Sequence, residues 1–326
     1  MRTFTVEDNW SGRRLDRWLS GHFPLLGYGG VRKCFREKRV RLNGAHVPPD
    51  VLLRAGDVVS LYVDEALLQP VAKRDAFLAD FRPRLAILYR DEHIMVVDKR
   101  PGLLCHPDER EKVQTLLHHA QAYLYQQGLW RPDAPNSFPP ALINRIDRFT
   151  GGIVLFALSK PAAEVLYGKM RTREIEKRYL CIVRGRLRLR AGVLRSWIAP
   201  RANGKGVVSL SSPGPGAKEA VTEYRVLSER GEMCLLECSL YTGRTNQIRA
   251  QLAAIGHPLL GDTQYGDKSF NERYHREYQA LYAWKLGFHF TGDAGVLNSL
   301  NGAMWQVRNV PFVREYFPDA GELPGK

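Results

Sequence analysis

Hydrophobic positions near the N-terminus repeat first with the period of helices and then with the period of strands. The first helical stretch places three apolar residues on one face at the i, i+3, i+4 spacing: Leu15, Trp18 and Leu19. A second helix is predicted over residues 30–38. Residues 40–42 then predict a strand that enters an Asn-Gly hairpin turn, and residues 58–63 predict another strand. The pattern is typical of a small module of two helices followed by hairpins.

From about residue 84 onward the pattern changes to short strands and turns with occasional helices. Apolar runs at residues 85–89 and 94–98, split by a polar Asp-Glu pair, predict two strands joined as a hairpin. Residues 160–173 predict a helix with one apolar face, and residues 177–185 alternate like a strand. This part of the chain therefore predicts a larger domain that contains both types of element.

The stretch between these two patterns has no periodicity. Residues 69–74 read Gln-Pro-Val-Ala-Lys-Arg and residues 82–84 read Arg-Pro-Arg, a composition typical of linkers. We therefore predict a first domain over residues 1–66, a linker over residues 67–83 and a second domain over residues 84–326. The relative orientation of two such domains can vary.

Charge indicates what kind of partner the protein binds. The 326 residues include 48 Lys and Arg against 34 Asp and Glu, a formal net charge of +14. Such an excess indicates a polyanionic partner, either nucleic acid or an anionic membrane surface. No apolar run approaches the roughly 20 residues that cross a bilayer, and the N-terminus lacks the apolar core of a secretory signal. Nucleic acid is therefore the expected partner, and no membrane partner is expected.

Four basic residues recur on one side of the second predicted helix: Arg32, Lys33, Arg36 and Arg39. A helix that presents them can contact several phosphates without reading bases. A solvated helix face is the alternative interpretation of the same pattern.

The cysteines indicate a reducing compartment. The five cysteines are an odd number and contain no Cys-x-x-Cys pair: Cys34, Cys105, Cys181, Cys234 and Cys238. In a large chain without an export signal, this pattern predicts reduced, buried thiols in a cytoplasmic protein. Cys105 and His106 are adjacent rather than spaced like zinc ligands, so no metal site is predicted.

Residues 144–157 carry the strongest candidate chemistry. Asp147 stands between Arg145 and Arg148, just before a glycine turn that opens onto an apolar strand. Two flanking cations favour the ionised form of an aspartate and can hold its rotamer. Because surface loops often carry such ion pairs, Arg-x-Asp-Arg by itself leaves a catalytic and a structural role both open.

Two further segments carry candidate residues. Tyr179 lies within the alternating strand, where a tyrosine packs more often than it takes part in chemistry. Thr245 is a plausible N-cap for a helix over residues 246–255, which would place Arg244 at the helix mouth and Arg249 in its second turn. Alone, Arg249 could equally bond a helix end or a surface acid.

These three segments, in this order, resemble the motifs of the RluA, RluC and RluD family of RNA pseudouridine synthases. The family patterns read roughly His-Arg-Leu-Asp-x-x-Thr-Ser-Gly, Lys-x-Tyr-x-x-x-Val-x-Gly and Thr-Gly-Arg-x-His-Gln-x-Arg. The resemblance implies that Asp147 is the catalytic aspartate, that Tyr179 is the active-site tyrosine and that Arg249 pairs with Asp147. It also implies three substrate-binding residues: Arg145, which would intrude into the RNA stack, Ile248, which would wall the base pocket, and Arg244.

The chain departs from these family patterns at three positions. Asn144 and Asn246 replace histidines, and Gly151 replaces a serine. Asn144 and Gly151 do not touch the Arg-x-Asp core, so we expect these two to alter the local hydrogen bonding of the loop rather than the reaction; Asn246 is a second His-to-Asn departure.

The N-terminal module, from Arg14 to Tyr62, resembles the S4 RNA-binding domain. Together the two resemblances imply an α+β fold, in which a small S4-like domain precedes a mixed, largely antiparallel sheet with a catalytic cleft across it. They also make the basic helix face a candidate RNA-binding surface.

The expected function is the isomerisation of specific uridines in RNA without a cofactor. Ribosomal RNA of the large subunit (23S-type) is favoured, because an S4-like module accompanies the family members that modify it. We expect a monomer with no obligate protein partner. The alternatives are a transfer RNA pseudouridine synthase, a non-catalytic RNA-binding or assembly factor, and a hydrolase of nucleosides or glycans, although glycosidases usually need two carboxylates.

Overall fold

The chain, seen in a computed structural model, divides into two compact units. The first contains residues 1–82 and 122–137, and the second contains residues 83–121 and 138–326. The structure describes residues 1–23, 26–68, 77–109, 111–132, 134, 137–201 and 206–320. Within the predicted linker, residues 69–76 therefore lie outside the described part, whereas residues 77–80 are helical. Among the described residues, none of the helices combines the length and the apolar character needed to cross a membrane.

Over its described residues up to 68, the first unit contains two α-helices and a three-stranded antiparallel sheet with the strand order β1-β3-β2. Its elements are β1 (Arg2–Thr5), α1 (Leu15–His22), α2 (Gly27–Arg36), β2 (Val40–Leu42) and β3 (Val58–Leu61). The predicted apolar face of α1 is confirmed, because Leu15, Trp18 and Leu19 are buried in the core of this unit. The last strand ends at Leu61 rather than at residue 63.

Two turns set the ends of these elements. Helix α2 ends at Arg36, two residues earlier than predicted, and Lys38 shortly beyond it adopts a left-handed φ of 55° that a helix cannot continue through. Asn43 and Gly44 both have positive φ, as a two-residue hairpin turn requires. The predicted turn is therefore confirmed, although β2 pairs mainly with β3 and not with the chain directly after the turn.

The second unit is built on an eleven-stranded sheet, counted over the described residues. Its strands are β4 (Ala86–Arg90), β5 (Ile94–Lys99), β6 (Ala141–Leu142), β7 (Gly151–Ala157), β8 (Ile175–Arg184), β9 (Ala191–Pro200), β10 (Val207–Leu210), β11 (Lys218–Arg230), β12 (Met233–Leu240), β13 (Leu281–Phe288) and β14 (Met304–Gln306). The order is β10-β9-β11-β12-β8-β13-β7-β5-β4, with β14 beside β13 and β6 beside β7. The pairing of β13 with β7 is parallel and the other pairings are antiparallel, so the predicted mixed, largely antiparallel sheet is confirmed.

Helices lie between and after these strands along the chain. They are α3 (Leu116–Gln126), which ends within the residue range of the first unit, α4 (Lys160–Arg171), α5 (Gln247–Ala254), α6 (Lys268–Arg273) and α7 (Pro311–Tyr316). Helix α4 is confirmed where the apolar spacing predicts it, and Ser159 caps its N-terminus by accepting from the backbone N–H of Ala162. Helix α5 begins one residue later than predicted, with Asn246 rather than Thr245 as its N-cap residue, so Arg249 lies in its first turn.

Strand β7 lies inside the sheet, and all seven of its residues are buried. At its start Gly152 has a φ of 113°, and a Cβ there would lie 2.2 Å from the carbonyl oxygen of Ala283 on β13. Only glycine permits so close an approach of the two parallel strands. The loop of residues 144–150, which carries Asp147, is thereby fixed where β7 begins.

Candidate active site

Asp147 is held by an arginine that is distant in sequence. Its side chain is 30% exposed, and its Oδ2 accepts a hydrogen bond from Arg249 Nη1 at 3.0 Å. Arg249 itself is 7% exposed. The ion pair therefore joins the start of β7 to the first turn of α5.

A second carboxylate orients the Arg249 guanidinium. Arg249 donates from Nε to Asp262 Oδ2 at 2.6 Å and from Nη2 to Asp262 Oδ1 at 2.9 Å. Asn246 Oδ1 accepts a further bond from Arg249 Nη1 at 2.9 Å. Burial opposes the charge on Arg249, but the hydrogen bonds and charges of Asp262 and Asp147 raise its pKa above the usual value. A planar guanidinium fixed on one edge by a bidentate carboxylate presents its remaining nitrogen to Asp147 in one direction.

The prediction that Arg145 and Arg148 hold Asp147 is wrong. The side chain of Arg145 is exposed, and that of Arg148 turns away to donate from Nε to the carbonyl oxygen of Gly102 at 3.1 Å. Neighbours in an extended loop point in different directions, so the stabilising cation comes from another element of the fold.

The backbone on both sides of Asp147 is fixed by residues 99–105. Lys99 Nζ donates to the carbonyl oxygen of Arg148 at 3.0 Å, and Cys105 Sγ lies 3.4 Å from the carbonyl oxygen of Ile146. The backbone N–H of Gly102 also donates to the Arg148 carbonyl, at 2.9 Å. This segment, which we call the loop clamp (residues 99–105), leaves Asp147 little freedom to move.

Lys99 is the most unusual member of the loop clamp because it is completely buried. Its ammonium donates to three carbonyl oxygens, those of Arg100, Leu103 and Arg148, at 2.8–3.1 Å. Burial lowers the pKa of Lys99 to about 8, although the negative charge of Asp147 opposes the shift.

A cavity of about 280 Å³ opens beside the Asp147–Arg249 pair. The six residues predicted for catalysis and substrate binding all line it: Asp147, Tyr179, Arg249, Arg145, Ile248 and Arg244. Tyr179 projects from β8 and is 7% exposed, and burial together with the charge of Asp147 raises the pKa of its phenol, which is therefore protonated at neutral pH. Ile248 contributes an apolar surface, and Arg244 is anchored by a bond from Nε to the carbonyl oxygen of Glu219 at 3.0 Å. The cavity thus combines a carboxylate, a phenol and cations, which suits a polyanionic substrate.

The three departures from the family patterns each have a local structural role. Asn144 accepts from the backbone N–H of Leu155 at 2.8 Å and donates to the carbonyl oxygen of Ile153 at 3.3 Å, which ties the loop to β7. Asn246 supports Arg249, as described above. At Gly151 a Cβ would lie 2.4 Å from the ring of Tyr282, so a serine would collide with that ring. Asn144 and Gly151 thus shape the loop and the start of β7, whereas Asn246 contacts Arg249.

Sequence reasoning missed three residues at this site. Asp262 lies outside the three motifs, and its role depends on a contact with Arg249 that no local pattern reveals. One sequence feature points to Lys99: it is a lysine at the end of a predicted strand that is otherwise mainly apolar. Lys177 also lines the cavity, with Nζ 3.2 Å from the Met170 sulfur. Burial lowers the pKa of Lys177.

The four predicted RNA-binding cations lie in the first unit. Arg32, Lys33, Arg36 and Arg39 are all exposed. Glu37 lies among them, 2.9 Å from Arg39, and 3.9 Å from both Lys33 and Arg36. The surface is therefore basic but partly neutralised by one acid.

All five cysteines are free and buried, as predicted. Cys181 and Cys238, on neighbouring strands, lie with their sulfurs 3.9 Å apart and unbonded. Apart from Cys105, whose sulfur contacts the Ile146 carbonyl, the thiols thus serve as buried packing groups.

Comparisons with known proteins identify the family. A model of the family described as RNA pseudouridylate synthase matches residues 93–254. Ribosomal large subunit pseudouridine synthase D of Xylella fastidiosa is 33% identical over 81% of this chain and 75% of that protein. An uncharacterized RNA pseudouridine synthase of Aquifex aeolicus is 33% identical over 85% of each chain. Among solved structures, human RNA pseudouridylate synthase domain containing 1 shares the fold, with a TM-score of 0.50 and 21% identity over 75% of this chain and 100% of that one.

The chain belongs to the RluA, RluC and RluD family of RNA pseudouridine synthases, and its activity is that of an isomerase. The family resemblance drawn from the three motifs is thereby confirmed.

Proposed function

We propose that this protein isomerises uridines in large-subunit ribosomal RNA, with Asp147 as the catalytic carboxylate. The observation that carries the assignment of Asp147 is its ion pair with buried Arg249 at the wall of the cavity. The choice of RNA rests on relatives named as ribosomal large subunit synthases, such as that of Xylella fastidiosa. Transfer RNA is the competing substrate.

The reaction explains why a fixed carboxylate is required. The bond from uracil N1 to ribose C1′ breaks, the base rotates, and a bond from C5 to C1′ forms, after which the C5 proton leaves. Asp147 would act at C1′ or C6, as a nucleophile or by stabilising positive charge on the sugar. Arg249 would keep Asp147 ionised and aimed throughout.

The other residues of the cavity would handle the base. The Tyr179 ring would stack on the uracil, and its neutral phenol would relay the C5 proton, passing its own proton to water as it accepts the one from C5. Ile248 would press on the base from the apolar wall. Taking a uridine out of its stack costs a few kcal/mol, and Arg145, exposed beside Asp147, would fill the gap that the base leaves. Arg244 would contact the RNA at the rim.

Residues 1–66, which belong to the first unit, would serve as an S4-like RNA-binding domain, followed by a linker over residues 67–83 and a catalytic domain over residues 84–326. Support comes from its two helices, its small sheet and the exposed cations at and beyond α2. Four of those cations would contact phosphates: Arg32, Lys33, Arg36 and Arg39. A monomeric state and a cytoplasmic location stay predictions.

The first prediction tests the catalytic role of Asp147. Unmodified ribosomal and transfer RNA transcripts labelled with tritium at C5 of uridine are incubated with the wild type, with Asp147→Asn, and with the matched surface variant Asp319→Asn. Tritium release from ribosomal RNA is expected in the wild type and in Asp319→Asn. In Asp147→Asn it should fall by about 10²–10³-fold or more, since removal of a charge-stabilising group costs that much.

Three other outcomes of this experiment would each lead to a different conclusion. Tritium release from transfer RNA alone would support the proposed reaction but identify transfer RNA, rather than ribosomal RNA, as the substrate. Full activity of Asp147→Asn would remove Asp147 from the reaction. Tight binding of both RNAs without any release would favour a non-catalytic RNA-binding factor.

A further inference from the structure

An exposed phenylalanine lies two residues after the proposed catalytic aspartate. Phe149 is 42% exposed, although it belongs to a loop whose next residue, Thr150, is buried. Single exposed apolar residues are common and need no explanation. Phe149 differs because its ring is part of an ordered aromatic and cationic group.

A second aromatic ring packs against Phe149. The Phe149 and Tyr278 rings are stacked, with their centroids 5.9 Å apart and an angle of 22° between their planes. The residues that follow them, Thr150 and Gln279, are joined by a buried hydrogen bond of 3.3 Å from Gln279 Nε2 to Thr150 Oγ1. The two rings are therefore held side by side by the two loops that carry them.

Arginines lie over both rings. The Arg148 guanidinium carbon is 5.4 Å from the centre of Phe149, and that of Arg276 is 4.7 Å from the centre of Tyr278. Arg276 is held in place by Glu315, 3.2 Å away. Arg148 is exposed. We call these four residues (Arg148, Phe149, Arg276 and Tyr278) the aromatic platform.

The chemistry of the platform matches one kind of ligand. Flat aromatic faces beside a guanidinium group bind unpaired nucleobases by stacking. The exposed Arg148 would attract a phosphate of the strand, whereas Arg276 is paired with Glu315 and supports Tyr278. Such contacts depend little on which base is present.

We propose that the aromatic platform stacks an unpaired nucleobase of the substrate RNA that lies next to the target uridine. The strand would pass from the cavity onto Phe149, which holds the flanking nucleotide while the uridine is out of the stack. The location rests on the proposed role of Asp147, because the platform adjoins its loop. The stacking itself can be measured without turnover.

The second prediction compares Phe149→Leu with the wild type on the C5-tritiated ribosomal RNA transcript and, in parallel, the transfer RNA transcript. Leucine keeps the apolar surface but cannot stack, so KM should rise by roughly 5- to 150-fold, the size of one base–aromatic stack, with kcat little changed. The matched control is Tyr167→Leu, which removes a 52% exposed aromatic on α4 and should leave KM unchanged. Phe149→Trp keeps a stacking ring, so its KM should rise less than that of Phe149→Leu.

Fluorescence separates this inference from the catalytic assignment. In the double variant Phe149→Trp/Asp147→Asn, the added tryptophan should be quenched when RNA binds, relative to Asp147→Asn alone. If the tryptophan is quenched but Asp147→Asn is fully active, the catalytic role of Asp147 is overturned while the stacking role of the aromatic platform is supported. An unchanged KM in Phe149→Leu, a loss in kcat alone, or no quenching would overturn the platform.

Discussion

At the scale of single residues, the site depends on groups that are buried and fully bonded. Asp262, with a completely buried side chain, takes two hydrogen bonds from Arg249, which leaves one nitrogen of the guanidinium for Asp147. Replacing the arginine by lysine would lose this two-sided geometry, because an ammonium is a point charge without a planar fork. The chain of contacts from Asp262 through Arg249 to Asp147 therefore determines where the Asp147 carboxylate lies.

The third prediction concerns Lys99 and pH. Its pKa of about 8 lies below the usual value, so the group is an ammonium below pH 8 and a neutral amine above it. The amine can donate two hydrogen bonds where three carbonyl oxygens need a donor, so the loop clamp should loosen as pH rises. We expect kcat for tritium release to fall through about pH 8. Tyr179 does not explain such a fall, because burial raises the pKa of its phenol.

The control for this prediction is Lys99→Met, which cannot titrate. Its rate should be lower at neutral pH by up to about 10²-fold, the cost of a small misplacement of the catalytic group, and should show no fall near pH 8. A wild-type profile that stays flat through pH 8 would contradict the role given to Lys99. So would a Lys99→Met profile that keeps the fall.

At the scale of elements, the start of β7 is shaped by glycines. Gly152 permits the parallel approach of β13, and Gly151 makes room for the Tyr282 ring, whose hydroxyl donates to Asp98 Oδ1 at 2.6 Å. The apolar run after Asp147 predicts the strand itself. The parallel partner could not be predicted, because residues 281–288 come more than a hundred positions later.

The fourth prediction concerns Gly151. In Gly151→Ala the new Cβ would lie 2.4 Å from the Tyr282 ring, which is buried and anchored to Asp98. The free energy of unfolding in urea should therefore fall by about 1–3 kcal/mol, the usual cost of overpacking. Gly292→Ala is the matched control, since nothing lies within 4 Å of a Cβ at that position. Equal stabilities of the two variants would show that the Tyr282 ring can move aside.

At the scale of the whole molecule, the net charge of +14 has a structural counterpart in both units. Cations line the cavity of the second unit, and the first unit exposes four more along and beyond α2. Glu37, which the charge pattern did not single out, offsets part of the latter group. Its contacts to Lys33 and Arg36 are long, at 3.9 Å, so these two cations are the better candidates for phosphates.

The fifth prediction tests that surface through salt. Each phosphate contact contributes about 0.7–0.9 to the slope of log K against log salt concentration. For the double variant Lys33→Ala/Arg36→Ala, we expect a slope that is less steep by about 1.5 for the ribosomal RNA transcript, measured by filter binding. The control Arg186→Ala/Arg188→Ala removes the same charge from the second unit. If the slope changes equally in both double variants, the effect is a general one of net charge rather than the loss of a binding surface.

Local features of this protein follow from short stretches of its amino-acid sequence. The Asp147 loop and the start of α5 can each be recognised from a short sequence motif. In each motif a few neighbouring positions specify both the residue types and the backbone geometry. The same holds for the apolar face of α1, the Asn43-Gly44 turn and the β4–β5 hairpin, each of which follows from short-range periodicity.

The tertiary structure alone decided which residues meet. Asp262 with Arg249, Lys99 with the Arg148 carbonyl, and Tyr278 with Phe149 are pairs from separate segments of the chain. No pattern of hydrophobic and polar positions encodes such pairs, because burial and strand order bring them together only when the sheet forms. For this reason the residues that line the cavity could be named from the sequence motifs. Asp262 and the loop clamp, which hold Arg249 and the Asp147 loop in place, could not be named in this way.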